Sequence, residues 1–209
     1  MGIALFLDNI KKQLQQHPPL FIGEETAFRS AVVVPLVERD GKWHILFQKR
    51  ALSMRKQPGD SSFPGGKIDA TDASPMAAAL RETNEELGVD IERIQVIEAL
   101  SPYIASPTFV VYPFAVVIDD PNVFTAFNRD EVEEVFTIPL KWLLQYEPTC
   151  HLVAMTPEPG ADFPFDKIAN GEHYQWGTRM IEEWFYEYEE RIVWGLTAHI
   201  LKHFLAQIK

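Results

Sequence analysis

Cysteine is nearly absent from this chain: Cys150 is the only one among 209 residues. No disulfide can form within the chain, which suits a reducing cytoplasm. Basic residues are outnumbered as well, 19 Lys and Arg against 30 Asp and Glu, for a formal net charge of −11. Nucleic-acid-binding faces are normally basic, so that class of partner is disfavoured. An anionic substrate must be drawn by local arginines or by metal, because the overall field repels it. No apolar run approaches the roughly 20 residues that span a bilayer. The stretch from Met1 to His17 lacks a basic segment leading into a long apolar core, so it does not read as a secretion signal. Phe6 stands where a myristoylation motif wants Ser or Thr, and Ile208-Lys209 is not a peroxisomal address. The six histidines show no metal-ligand spacing, and His199 reads as structural. There is no internal repeat, low-complexity tract or linker. The expectation is one domain over residues 1–209, without membrane association.

Hydrophobic residues make up 46% of the chain, enough to argue for a folded core rather than disorder. Ile3, Phe6, Leu7, Ile10 and Leu14 recur at helical spacing and predict an amphipathic helix over about 3–16, stopped by Pro18-Pro19. Phe28 to Val37 and Trp43 to Gln48 are strand-like and joined by the turn Arg39-Asp40-Gly41. Ser74 suits an N-cap, Pro75 the first helical position and Gly88 the C-terminal stop, which delimits a helix. Its Met76, Leu80, Thr83 and Leu87 form a core-facing stripe. Gln95 to Ala99, Phe109 to Ile118 and Trp184 to Tyr188 read as strands. Pro139 to Tyr146 reads as a short helix and Ile192 to Ile208 as a closing one, while residues 147–173, rich in Pro and Gly, give no clear pattern. Trp176, Trp184, Phe185, Tyr186 and Trp194 read as core aromatics before a base-stacking platform.

Chemistry concentrates in Gly65-Gly66-Lys67-Ile68-Asp69-Ala70-Thr71-Asp72 and Arg81-Glu82-Thr83-Asn84-Glu85-Glu86-Leu87-Gly88-Val89. At about 100° per residue, Glu82, Glu85 and Glu86 fall within an arc of roughly 100° on the helix. Three carboxylates that close repel one another unless a cation lies between them. Hard divalent cations such as Mg²⁺ or Mn²⁺ take such oxygen ligands. The alternative is a solvated helix face, which is what charge clusters usually are. Arg81, one turn before Glu85, is either a surface pair or a brace that keeps the carboxylates ionised. Gly65 and Gly66 make a turn and, lacking Cβ, also permit close approach to a metal or a diphosphate.

These residues resemble the Nudix box, a glycine followed by Arg-Glu-aliphatic-any-Glu-Glu-any-Gly-aliphatic. Gly66, Arg81, Glu82, Glu85, Glu86, Gly88 and Val89 match. Asp72 stands where the pattern has Glu, eight residues rather than seven separate it from Arg81, and Thr83 replaces the aliphatic residue. The resemblance implies an α/β fold, a Nudix-type α/β/α sandwich with a central mixed β-sheet. It also implies that Glu82, Glu85 and Glu86 hold Mg²⁺ or Mn²⁺, that Glu82 can orient or deprotonate water, and that Arg81 braces them.

Just upstream, Leu46, Arg50, Ala51, Arg55, Gly59, Phe63, Pro64, Gly65 and Gly66 match the signature of the coenzyme A diphosphatase (CoA pyrophosphatase) branch of Nudix hydrolases. Phe47 and Gln48 depart from the Leu and Thr of its opening. The longer box is itself a habit of that branch. The resemblance implies hydrolysis of coenzyme A or a derivative to 4′-phosphopantetheine and adenosine 3′,5′-bisphosphate. It implies that Arg50, Arg55, Gly65 and Gly66 contact the substrate, since guanidinium forks suit phosphate oxygens. Glu131, Glu133 and Glu134 are the candidates for an extra carboxylate outside the box, and each could equally be a solvated loop charge. Other nucleoside diphosphate derivatives such as ADP-ribose or NADH, and a catalytically silent binding module, are the rival readings. The role of Asp72 and the oligomeric state, a homodimer included, stay open.

Overall fold

The computed structural model of the chain describes residues 8, 10–13, 15 and 21–209. Residues 8, 10–13 and 15 are helical, and the rest of the helix expected over 3–16 lies outside the described residues.

The framework is a mixed eight-stranded sheet. Strands β1 (Phe28–Arg39) and β2 (Lys42–Arg50) form its first hairpin. The turn places Asp40 at φ 51° and Gly41 at φ 71°. Two consecutive left-handed residues match the twist of the flanking strands, which is why Asp-Gly serves there. Short β3 (Ser61–Ser62) pairs with β2, and β4 (Gly65–Lys67) pairs with β1. Strands β5 (Ile94–Ala99) and β6 (Tyr103–Ser106) pair with β7 (Phe109–Ile118), and β8 (Val132–Pro139) pairs with β2. β1 and β7 run parallel, from Phe28 opposite Phe109 to Leu36 opposite Val117; the other pairs are antiparallel.

Six consecutive residues of β1, Ser30 to Pro35, are buried, because helices cover both faces of the sheet. Alternation divides them. Ala31 and Val33 join Leu46, Ala78, Ala79 and Leu87 in one core beneath helix α1 (Pro75–Leu87). Val32 and Val34 join Ile45, Phe47 and Leu201 in the other, beneath α2 (Leu140–Gln145) and α3 (Gly195–Gln207). A three-stranded sheet of β9 (Thr149–Met155), β10 (Arg179–Tyr188) and β11 (Arg191–Trp194) packs on that second side through Tyr186 and Val193. The fold is therefore mixed α/β around a central mixed sheet.

α1 has the expected limits. Ser74 Oγ accepts the Ala77 N–H at 3.1 Å, Pro75 opens the helix, and Gly88 closes it at φ 67°. Its core stripe differs from the expected one: Met76 is exposed, while Ala78 and Ala79 are fully buried. Two alanines let the helix backbone sit close against the sheet, which a longer side chain there would prevent. Thr83 is also buried, and its hydroxyl donates to the Ala79 carbonyl at 2.7 Å. A threonine in place of an aliphatic residue is thus satisfied within the helix itself.

Two expectations need correction. The closing helix starts at Gly195, not at Ile192. Residues 191–194 form β11 because the β-branched pair Ile192-Val193 lies against Glu187 and Tyr186, and Gly195 turns the chain at φ 60°. Strand β9 also lies inside the stretch that gave no pattern, since all seven of its residues are exposed and burial imposes no alternation. Among the described residues no helix is long and apolar enough to cross a membrane.

Replacing Ser74 by Ala removes the cap of α1 and should cost about 1 kcal/mol of stability. A chemical-denaturation midpoint checks this. An unshifted midpoint would mean that tertiary packing alone sets the start of α1.

Candidate active site

The site is built where α1 crosses the glycine turn. Phe63 anchors the turn: it is buried and stacked on Phe47, with ring centroids 5.1 Å apart. The Pro64 carbonyl accepts the Val33 N–H at 2.9 Å. Gly65 lies at φ 139°, and a Cβ there would meet the Ala31 carbonyl oxygen at 2.3 Å and Val32 Cα at 2.6 Å. Backbone of β1 at that distance, together with the positive φ, makes glycine obligatory at that position. Gly66 is glycine for another reason: its Cβ would lie 2.3 Å from Glu82 Oε2. The missing side chain is the space in which that carboxylate rests.

The three expected carboxylates occupy three environments. The Glu85 side chain is 53% exposed and Glu82's is 17% exposed, while Glu86 is only 4% exposed. Glu86 Oε2 accepts the Gly65 N–H at 2.8 Å, which ties helix to turn. Burial pushes the Glu86 carboxyl up to about 7, against the pull of the Gly65 amide and the Gln48 side chain; the charges of Glu82 and Glu131 add to the rise. Burial also raises Glu82, while Arg81 acts against it.

Arg81 is the hub. Its Nε and Nη2 donate to both oxygens of Asp72 at 2.9 Å each, and Nη1 donates to Glu82 at 2.8 Å and Glu85 at 3.1 Å. Nη2 also reaches the Lys67 carbonyl at 3.2 Å. The Asp72 hydrogen bonds hold the Arg81 guanidinium well above its ordinary value. In return Arg81, with the Asp69 N–H, brings Asp72 down to about 2. Asp72 is thus a clamp on Arg81. Asp72 is one methylene shorter than the Glu of the box and one residue further from the arginine, and the fork still closes.

Among the described residues no three His, Cys, Asp or Glu side chains are gathered closely enough to hold a metal as they stand. The cation between Glu82 and Glu85 is the Arg81 guanidinium. The donor chemistry nevertheless fits a hard divalent cation. Glu82, Glu85 and Glu86 offer only carboxylate oxygen, and the surroundings of Glu82 already accommodate a positive charge.

A cavity of about 700 Å³ opens beside the turn. Gly65, Gly66 and Arg50 line it, with Lys56, Lys67, Ser61 and the start of α3. Arg50 Nε donates to the Lys56 carbonyl at 3.3 Å. Arg55 is exposed and does not line the cavity. Of the three outer carboxylates, Glu131 is half-buried and its charge reaches both Glu82 and Glu86. Glu133 is exposed, and Glu134 is bonded to Arg191. Trp194, expected in the core, is 41% exposed and lines the cavity. Lys67 lies inside the Gly65–Asp72 stretch but at a position to which the motif assigns no role, and Lys56 and Glu183 carry no motif that could have singled them out.

A mixed α/β fold that sets a carboxylate helix over a glycine turn defines a class of phosphoric anhydride hydrolases. The NUDIX domain matches residues 27–153, and the chain belongs to that family. It is 34% identical over 204 residues to proteins named uncharacterized Nudix hydrolase NudL from Salmonella paratyphi B and Salmonella typhimurium, covering 98% of this chain and 95% of theirs. A MutT/nudix family protein from Enterococcus faecalis superposes with a TM-score of 0.48 at 18% identity, over 100% of this chain and 70% of that one. A C. elegans Ap4A hydrolase in a binary complex gives 0.45 at 21%, over 57% and 85%. Likenesses of that degree bear on neither substrate nor mechanism. The chain is a Nudix hydrolase, acting on diphosphate bonds.

Two outcomes follow from the packing of the site. In chelator, Glu86 titrates near 7 when folded and near 4.5 when unfolded. Its neutral form is favoured by the fold, so its contribution is complete below about 4.5 and is lost as pH rises through 7. Glu86→Gln stays neutral and should gain roughly 3 kcal/mol relative to the parent between pH 4.5 and 7.5. Urea titrations at both pH values measure this, and a pH-independent gap would contradict the burial argument. Separately, Gly65→Ala should lower stability by about 1–3 kcal/mol or more through backbone overlap. Gly66→Ala should instead spare the fold and lower kcat by displacing Glu82. Equal loss of stability in both variants would refute that division.

Proposed function

We propose that this enzyme hydrolyses the diphosphate bond of coenzyme A or a close derivative, with Mg²⁺ or Mn²⁺. The observation that carries the reading is convergence. Arg50 lies fifteen residues before Gly65, yet both line one cavity, and Gly66, which also lines it, lies against Glu82 of α1. The stretch Arg50 to Gly66 is the one that matches the coenzyme A signature.

Glu82, Glu85 and Glu86 would hold the cation. When bound, it would neutralise diphosphate oxygens and lower the pKa of water. The chain's own contributions are distinct. Gly65 and Gly66 let the turn pack against β1 and Glu82 while it lines the cavity in which the diphosphate would lie. Arg50, Lys56 and Lys67 supply the local positive charge that the net balance denies. Arg81, clamped by Asp72, keeps Glu82 and Glu85 oriented. Glu131 is the best-placed outer carboxylate to take a proton from water, because Glu134 is engaged by Arg191 and Glu133 faces outward.

Two variants test the proposal. Glu86→Gln should stay folded and lose about a hundredfold or more of its divalent-dependent turnover. Turnover near that of the parent would remove Glu86 from the machinery. Arg50→Ala should lower kcat/KM for coenzyme A more than for its 3′-dephospho form if Arg50 meets the 3′-phosphate. An equal loss would place Arg50 at the shared diphosphate, and no loss would make it a bystander. A wild-type preference for ADP-ribose or NADH over coenzyme A in a substrate panel would overturn the coenzyme A reading.

A further inference from the structure

Two carboxylates that the proposed reaction does not use, Asp60 and Glu183, line the cavity. Of the two, only Glu183, on β10, has an oxygen, Oε2, that is both buried and unpaired among the described residues. Buried carboxylate oxygens are costly to leave unpaired. Ordinary partners are close by but do not serve it. Arg50, Lys56 and Lys67 line the same cavity, yet none bonds Glu183 Oε2. Tyr103 is near enough to feel the Glu183 charge, but no hydrogen bond joins them. The start of α3 is also near: a Cβ on Gly195 would lie 4.0 Å from Glu183 Oε2. Trp194, the N-cap of α3, makes no side-chain cap bond, and the helix amides leave Oε2 unpaired too.

Glu183 lines the cavity while its Oε2 lies beneath the wall, so a substrate donor meets that unpaired acceptor when the Glu183 side chain turns outward. A negative charge also excludes phosphate from its own vicinity. We propose that Glu183 is a specificity-determining residue, which accepts a hydrogen bond from an N–H or O–H group on the uncharged part of a nucleoside diphosphate substrate. The phosphates are left to Arg50, Lys56 and Lys67. This rests on reading the cavity as the substrate site. For coenzyme A the donor lies on the adenosine or on the amide-bearing pantetheine arm, and the shared chemistry is a neutral donor beside a carboxylate.

The test compares wild-type, Glu183→Gln and Glu183→Ala proteins on coenzyme A and on ADP-ribose, with melting temperatures measured in parallel. ADP-ribose shares the adenosine diphosphate but lacks the pantetheine arm. A hydrogen bond to a charged acceptor lost on truncation should raise KM about tenfold to a hundredfold in Glu183→Ala, with kcat within about twofold. Glu183→Gln, which keeps an acceptor, should fall between. A KM rise on both substrates places the donor in the adenosine, and a rise on coenzyme A alone places it in the pantetheine arm. The melting temperature should hold or increase, because an unpaired buried charge is removed. Unchanged KM values overturn the proposal. If they accompany a lower melting temperature, Glu183 serves the positive end of α3 instead. Wild-type turnover judges the underlying reading separately: if ADP-ribose is hydrolysed and coenzyme A is not, the coenzyme A assignment fails while Glu183 is still judged on ADP-ribose.

Discussion

The hydrogen bond from the Gly65 amide to the Glu86 carboxylate fixes everything else in the site. It joins a turn at residue 65 to a helix residue 21 positions later, and it does so under near-complete burial. A carboxylate there has lost most of its water, so one amide and the nearby Gln48 must replace it. The backbone of the turn can approach only because Gly65 has no Cβ to strike β1. Once α1 is held at that distance, Glu82 comes to rest over Gly66. The register of the helix then settles where Glu85 and Arg81 must be.

Electrostatics works locally in this protein, against the global balance. A net charge of −11 repels a diphosphate, yet Arg50, Lys56 and Lys67 all line one cavity. Arg81 is spent otherwise, on Asp72, Glu82 and Glu85. That division separates two tasks. One cation braces carboxylates so that they stay placed at close range. The others line the cavity, Lys67 within an exposed ion pair with Asp69, where an anion can reach them. Burial provides the third element, since it makes Glu86 the member of the set most in need of a positive partner.

Much of this was legible in the sequence where local chemistry is self-sufficient. Ser74, Pro75 and Gly88 delimit α1 because capping needs only neighbours in the chain. The Asp40-Gly41 turn and the spacing of Glu82, Glu85 and Glu86 belong to the same kind. What depended on distant partners was not legible. Met76 looked apolar enough for the core, but Ala78 and Ala79 face the sheet instead. Residues 192–194 read as helical until β10 offered them a strand partner. Arg55 shares the motif of Arg50 but not its place at the cavity, because a loop sets its direction. Glu183 reaches the site only through the packing of a second sheet, which no spacing along the chain encodes.

These elements converge on one chemical claim, that water cleaves a diphosphate rather than a phosphomonoester or a thioester. The most direct measurement is mass spectrometry of the products formed from coenzyme A in ¹⁸O-water with Mg²⁺. The account predicts 4′-phosphopantetheine and adenosine 3′,5′-bisphosphate, with a single ¹⁸O in one of the two. Release of inorganic phosphate, or of free thiol from an acyl derivative with its diphosphate intact, would contradict it.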